Sequence, residues 1–104
     1  MMLDKKVKEI MTTDVITTPS NVDVVNAFEE LMEHKISAMP VVDDGELVGI
    51  KDVVTVSPEN TIQEAIEIMQ SHAPDSNILN QLPVVENGKL VGIISDGDII
   101  KLIL

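Results

Sequence analysis

The run Ser95-Asp96-Gly97-Asp98 holds polar residues at a spacing with two chemical uses. A Ser followed three residues later by Asp caps a helix start, because the hydroxyl takes the third N–H and the carboxylate complements the helix dipole. The same groups can hold a ligand. An ionised Asp98 accepts two hydrogen bonds, as a vicinal diol requires; Ser95 donates one; and free N–H groups at a helix start attract an anion. Capping and binding are compatible when the ligand is absent, so both readings stand.

Other reactive residue types read more plainly. His34 and His72 fall at equivalent helix ends and could pair on a metal, but a cation at a helix C-terminus explains them with less. Asp43, Asp44 and Glu46 read as a solvated turn rather than a divalent-ion site. Met32, Met39 and Met69 read as packing, with Met39 in a cleft wall. Thr12, Thr13, Thr17 and Thr18 serve equally as phosphate donors or as β-branched strand residues. No Ser-His-Asp set, P-loop, G-x-G-x-x-G or metal-ligand spacing occurs, so the expectation is a binding module and not an enzyme, with no metal.

Composition narrows the partners. The formal net charge is −11, with seven Lys and no Arg. That charge repels nucleic acid and anionic membranes, and a single aromatic residue, Phe28, leaves no platform for base stacking. Apolar residues make up 44% of the chain, enough for a core. Without Cys there is no disulfide framework, thiolate zinc site or Cys nucleophile. No signal core and no apolar run near ~18 residues is present, which sets the expectation of a cytoplasmic protein with neither nucleic acid nor membrane as partner.

The elements that must position these residues come in two copies. An offset of 38 sets Asp14-Val15-Ile16-Thr17 on Asp52-Val53-Val54-Thr55 and runs without a gap to His34 on His72. An offset of 43 sets Pro40 to Ile50 on Pro83 to Ile93, the second copy holding extra polar residues in His72 to Asn77. This is an internal duplication. Each copy predicts a short β run (15–17, 53–56), then an amphipathic helix: Val24, Ala27, Phe28 and Leu31 match Ile62, Ala65, Ile66 and Met69, so both helices should bury one stripe. Asp23 and Thr61 mark the N-caps, with Glu64 completing a capping box. Two β runs follow, joined by Asp44-Gly45 or Asn87-Gly88, dipeptides suited to a tight hairpin. Residues 96–104 form a closing helix, apolar on several sides, part of which should face the sister repeat or another chain.

Ile36-Ser37-Ala38-Met39-Pro40-Val41-Val42-Asp43 and Gly92-Ile93-Ile94-Ser95-Asp96-Gly97-Asp98-Ile99, in this order around the helices and hairpins, resemble the CBS domain, named after cystathionine β-synthase. The likeness covers almost the whole chain. It implies an α/β (α+β) fold of two pseudo-twofold-related β-α-β-β repeats, residues 1–50 and 51–104, packed sheet to sheet as one Bateman module. It also implies a regulatory module whose clefts bind an adenosine compound (AMP, ADP, ATP or S-adenosylmethionine) as effector, with no required cofactor. Carried onto this sequence, one cleft uses Thr17, Val22, Ser37, Ala38, Met39 and Pro40 with Ile94, Ser95 and Asp98. Asp98 would hold the ribose hydroxyls, and Ala38, Met39 and Pro40 would flank adenine. The other cleft uses Thr55, Gln81, Leu82 and Pro83 with an S-x-x-D that would follow the first repeat's hairpin, where the motif is absent here. Without Arg, phosphate contacts fall to Lys, hydroxyls or backbone N–H groups.

The copies are unequal. If Lys51-Asp52 opens the second copy, the first has no equivalent of Ile94 to Leu104 and the second none of Val7 to Thr13, so roughly 20 residues look missing at Ile50-Lys51. The second cleft should then be incomplete. A homodimer fits the apolar closing helix. The alternative function is a structural dimerisation module with vestigial clefts.

Overall fold

The computed structural model describes residues 2–36, 38–48, 54–71 and 80–104. Ser37, His72 and the Ile50-Lys51 junction lie outside the described residues, as do the polar residues 73–77. Two 3-10 turns, Met2–Asp4 and Val7–Glu9, precede helix α1 (Val24–His34), strands β1 (Val42–Asp43) and β2 (Glu46–Leu47), helix α2 (Ile62–Ser71), strands β3 (Gln81–Glu86) and β4 (Lys89–Ser95), and helix α3 (Asp96–Ile103).

Helix starts follow the capping residues. Asp23 Oδ1 accepts the Asn26 N–H at 2.8 Å. Thr61 Oγ1 accepts the Glu64 N–H at 3.1 Å while Glu64 Oε1 accepts the Thr61 N–H at 2.8 Å, the reciprocal box. Helix α1 ends where Lys35 turns left-handed at φ 55°. Both hairpins carry the expected turns: Asp44 and Gly45 have φ of 52° and 81°, Asn87 and Gly88 of 53° and 78°, a pairing that matches the twist of adjoining strands.

The duplication survives at hydrogen-bond resolution. Thr18 donates to Pro40 O at 3.1 Å and accepts from Val42 N at 2.9 Å; Val56 donates to Pro83 O at 3.0 Å and accepts from Val85 N at 2.8 Å. These are the β runs expected near 15–17 and 53–56, reduced to one parallel bridge each, Thr18–Val41 and Val56–Val84. The hairpins join through one antiparallel rung, Glu46–Lys89, into a four-stranded sheet of order β1-β2-β4-β3.

The core is one-sided. Among the described residues its buried apolar members are Val7, Val56, Ile62, Ala65, Met69, Leu82, Val84, Ile94 and Ile99, all from the second repeat except Val7. The expectation that both helices bury a stripe therefore holds for α2 alone. On α1 no residue is buried, and Val24, Val25, Phe28 and Met32 are 84%, 67%, 58% and 64% exposed. The physical reason is cover. Residues 5–8 lie across the start of α2: Val7 N donates to Asn60 O and Ile62 N to Lys5 O, each at 2.8 Å, while Lys6 and Lys8 close on Glu59 at 2.8 and 2.7 Å. Among the described residues nothing equivalent lies on α1. Helix α3 packs one side, Ile99 with Leu102, on its own repeat's core, and Ile100, Ile103 and Leu104 are exposed.

Candidate functional site

Where the leading segment crosses to the second repeat it pairs with β4. Thr12 N donates to Ile93 O at 2.8 Å, and Ile93 N to Thr12 O at 2.9 Å. Gly92 permits this approach: a Cβ there would stand 2.7 Å from Met11 Sδ and 2.9 Å from Thr12 O. The crossing leaves a cleft of about 160 Å³, lined by Thr12, Asp14, Val15, Ile16, Ile36, Ala38 and Pro40 from the first repeat and by Gln81 and Ile93 from the second. The ~150 Å³ apolar cavities that admit benzene are of similar size. A flat ring fits such a space, with aliphatic walls to hold its faces and Thr12, Asp14 and Gln81 at its polar margin.

Of the first expected set, Ala38 and Pro40 line this cleft. Thr17 is exposed just past Ile16, and Val22 and Met39 are half-buried outside the lining. Ile94 is fully buried in the core, so its side chain points away from the cleft face that Ile93 occupies. Ser95 and Asp98 are outside the lining, but Ser95 pairs across the sheet with the lining residue Gln81, which puts these two on one face at the edge of the cleft. Asp98 Oδ2 accepts the Ser95 N–H at 2.9 Å and Ser95 Oγ accepts the Asp98 N–H at 3.2 Å, so the capping reading is realised. Of the second set, Gln81 belongs to the first cleft, Leu82 is buried in the core, Pro83 is half-buried with its carbonyl bonded to Val56, and Thr55 is exposed.

One expectation is overturned. The start of α3 does not present free N–H groups to an anion. Asp96 N donates to Asn80 O at 3.0 Å, Gly97 N to Asp96 Oδ1 at 2.7 Å, and Asp98 N to Ser95 Oγ. A backbone carbonyl, the Asp96 carboxylate and the Ser95 hydroxyl have taken the place an anion would use.

Sequence reasoning weighed Thr12 only as a phosphate donor or strand residue, and did not place Asp14, Val15, Ile16, Ile36 and Ile93 in a cleft. Strand alternation could have chosen Ile93 over Ile94, since only one of two neighbours can face the core. Titration shifts mark structural contacts elsewhere. Hydrogen bonds from Lys6 and Lys8 lower Glu59 to about 2, and the same contact raises Lys8. Ser20 lowers Asp43, and the Thr61 N–H lowers Glu64. Among the described residues no group of three or more His, Cys, Asp or Glu could hold a metal ion, and no helix is long and apolar enough to cross a membrane.

Comparison with known proteins agrees with this architecture. The CBS domain description matches residues 7–50 and 51–104. The chain is similar to the CBS domain-containing protein YhcV of Bacillus subtilis, 26% identical with 89% of this chain and 81% of that one covered. It is 32% identical to the methylated protein MJ0556 of Methanocaldococcus jannaschii, covering 94% of this chain and 73% of that one. Of protein MJ1225 from the same organism it spans 44%, so some relatives are longer. The solved CBS domain pair of protein MJ0100, in complex with 5′-methylthioadenosine and S-adenosyl-L-methionine, superposes with a TM-score of 0.81 at 26% identity, covering 95% of each chain. The chain belongs to the CBS domain family, as two CBS domains in tandem.

Proposed function

We propose that this chain is a regulatory, non-catalytic module that senses an adenosine-containing ligand in the cleft between its two repeats. One observation carries the reading: the cleft wall is built from both repeats, Ile16, Ala38 and Pro40 on one side and Gln81 and Ile93 on the other. An occupant of such a cleft joins the repeats, and binding energy that differs between two arrangements of them is what a sensor transmits. Ile16, Ala38, Pro40 and Ile93 would hold the adenine faces, and Gln81 would read its polar edge with one donor and one acceptor. Ser95 and Asp98 would turn from capping to the ribose hydroxyls. The 5′-methylthioadenosine and S-adenosyl-L-methionine bound by the MJ0100 domain pair support this ligand class.

The test is calorimetry and thermal shift with adenosine compounds. A ligand at 100 times its Kd should stabilise the protein by about 2.7 kcal/mol, and Asp98→Ala should reduce that shift. If no adenosine compound shifts melting, or if Asp98→Ala leaves the shift intact, the sensor reading fails. Incubated ligand should be recovered unchanged by chromatography, since the proposal includes no turnover.

The bare face of α1 favours a second reading that is compatible with the first: a module that pairs with another copy through Val24, Val25, Phe28 and Met32. An apolar face of this kind loses water only against a partner. Sedimentation should give a homodimer that Phe28→Glu dissociates; a monomer at high concentration would sink it. A segment missing near Ile50-Lys51, as the unequal copies lead us to expect, would bear on both readings. The alignment with YhcV runs over 119 residues, more than this chain contains, as expected if residues present in that relative are absent here.

A further inference from the structure

We propose that the cleft selects adenosine compounds with no phosphate at the 5′ position, neutral thioethers or sulfonium cations, over adenosine mono-, di- and triphosphates. This rests on the adenosine reading above and adds the sign of the ligand's charge. Three observations lead to it.

The first is the lining. Among the described residues its ionisable side chain is Asp14, an acid, and none is Lys; the chain has no Arg to supply a guanidinium. The second is the disposition of the lysines. Lys5 pairs with Glu9, Lys6 and Lys8 with Glu59, and Lys89 with Glu46, so these four cations are engaged by the protein's own carboxylates. The third is the start of α3 at the cleft rim. Helix starts commonly receive phosphate through free N–H groups. Here Asn80 O and Asp96 Oδ1 occupy two of those groups whether or not Ser95 turns to the ligand, and Asp96 and Asp98 bring negative charge to the same turn.

A phosphate of charge near −2 would enter a cleft with a carboxylate in its wall, on a protein of net charge −11 with two more carboxylates in the helix turn that follows Ser95. Among the described residues the lining offers it no countercharge, and desolvating an unpaired anion is costly. A methylthio group loses nothing, because it can rest on the aliphatic side chains of the wall. A sulfonium gains, because a cation is drawn into a cleft of negative potential. That gain comes from exposed charges and must weaken as salt screens them over about 10 Å at 0.1 M.

Isothermal titration of 5′-methylthioadenosine, S-adenosylmethionine, AMP and ATP against the full chain, at low and high salt, tests the proposal. The two phosphate-free compounds should bind at least tenfold tighter than AMP or ATP at low salt. The preference for S-adenosylmethionine over AMP should shrink at high salt, and Asp14→Asn should narrow it about threefold or more. Asp14 is exposed, so this substitution leaves the core untouched. AMP or ATP binding as tightly as the phosphate-free compounds would overturn this inference and leave the adenosine reading standing. Binding by none of the four would overturn both.

Discussion

Replacing Val7 with Ala should cost far more stability than replacing Phe28, although the duplication places Phe28 in an amphipathic stripe and gives Val7 no partner. Val7 is fully buried, in contact with the second repeat's core, whereas Phe28 is 58% exposed. Val7→Ala removes two methyl groups, about 1.6 kcal/mol of transfer free energy at ~0.8 each. A residual void of about 40 Å³ adds roughly 1 kcal/mol at ~24 cal/mol per Å³. The expected loss is therefore about 2 to 3 kcal/mol, which for a domain of this size lowers Tm by about 10 to 20 °C. Phe28→Ala, measured at high dilution, should fall within about 0.5 kcal/mol of wild type, as for a surface position. Urea melts followed by circular dichroism, with matched slopes, measure both. A Val7→Ala cost below about 0.5 kcal/mol would refute the claim that the leading segment completes the second repeat's core. A Phe28→Ala cost equal to that of Val7→Ala would refute the one-sidedness of the core.

Gly92→Ala should destabilise the fold by about 1 to 3 kcal/mol, because Met11 can swing aside but the Thr12 carbonyl, held by Ile93, cannot. If thermal melting of this variant matches wild type, the tight crossing at the cleft floor is misjudged. The contact among Glu59, Lys6 and Lys8 should shape the pH profile of stability. The Glu59 pKa falls from 4.5 to about 2 on folding, so its contribution is present above 4.5 and is lost as pH falls towards 2. Lys8 is raised, so its share is present below 10.5 and is lost as pH climbs through the folded value. Glu59→Gln should flatten both limbs; acid and alkaline melts unchanged by it would show the contact to be energetically silent.

The amino-acid sequence by itself determined what is local or periodic. The two copies are a periodicity of the sequence itself; the helix caps at Asp23, Thr61 and Ser95 and the Asp44-Gly45 and Asn87-Gly88 turns depend on residues within four positions of one another, and all of these stand in the structure. The cleft was half legible. Ala38 and Pro40 were readable from their motif, but Thr12, Asp14 and Ile16 enter the lining only because residues 2–12 cross onto the other repeat, pairing Thr12 with Ile93 across 81 positions. No local pattern encodes such a pairing, since its free energy comes from burying Val7 and from a close approach that Gly92 allows. Tertiary structure alone likewise decided which of two similar helices is covered. Helices α1 and α2 carry the same apolar spacing, yet burial belongs to whichever face another segment reaches, and the leading segment reaches only α2. The same holds for the rim of the cleft. Sequence offered Ser95-Asp96-Gly97-Asp98 either as a cap or as a ligand site, and the fold set Asn80 and Asp96 on the N–H groups an anion would have needed.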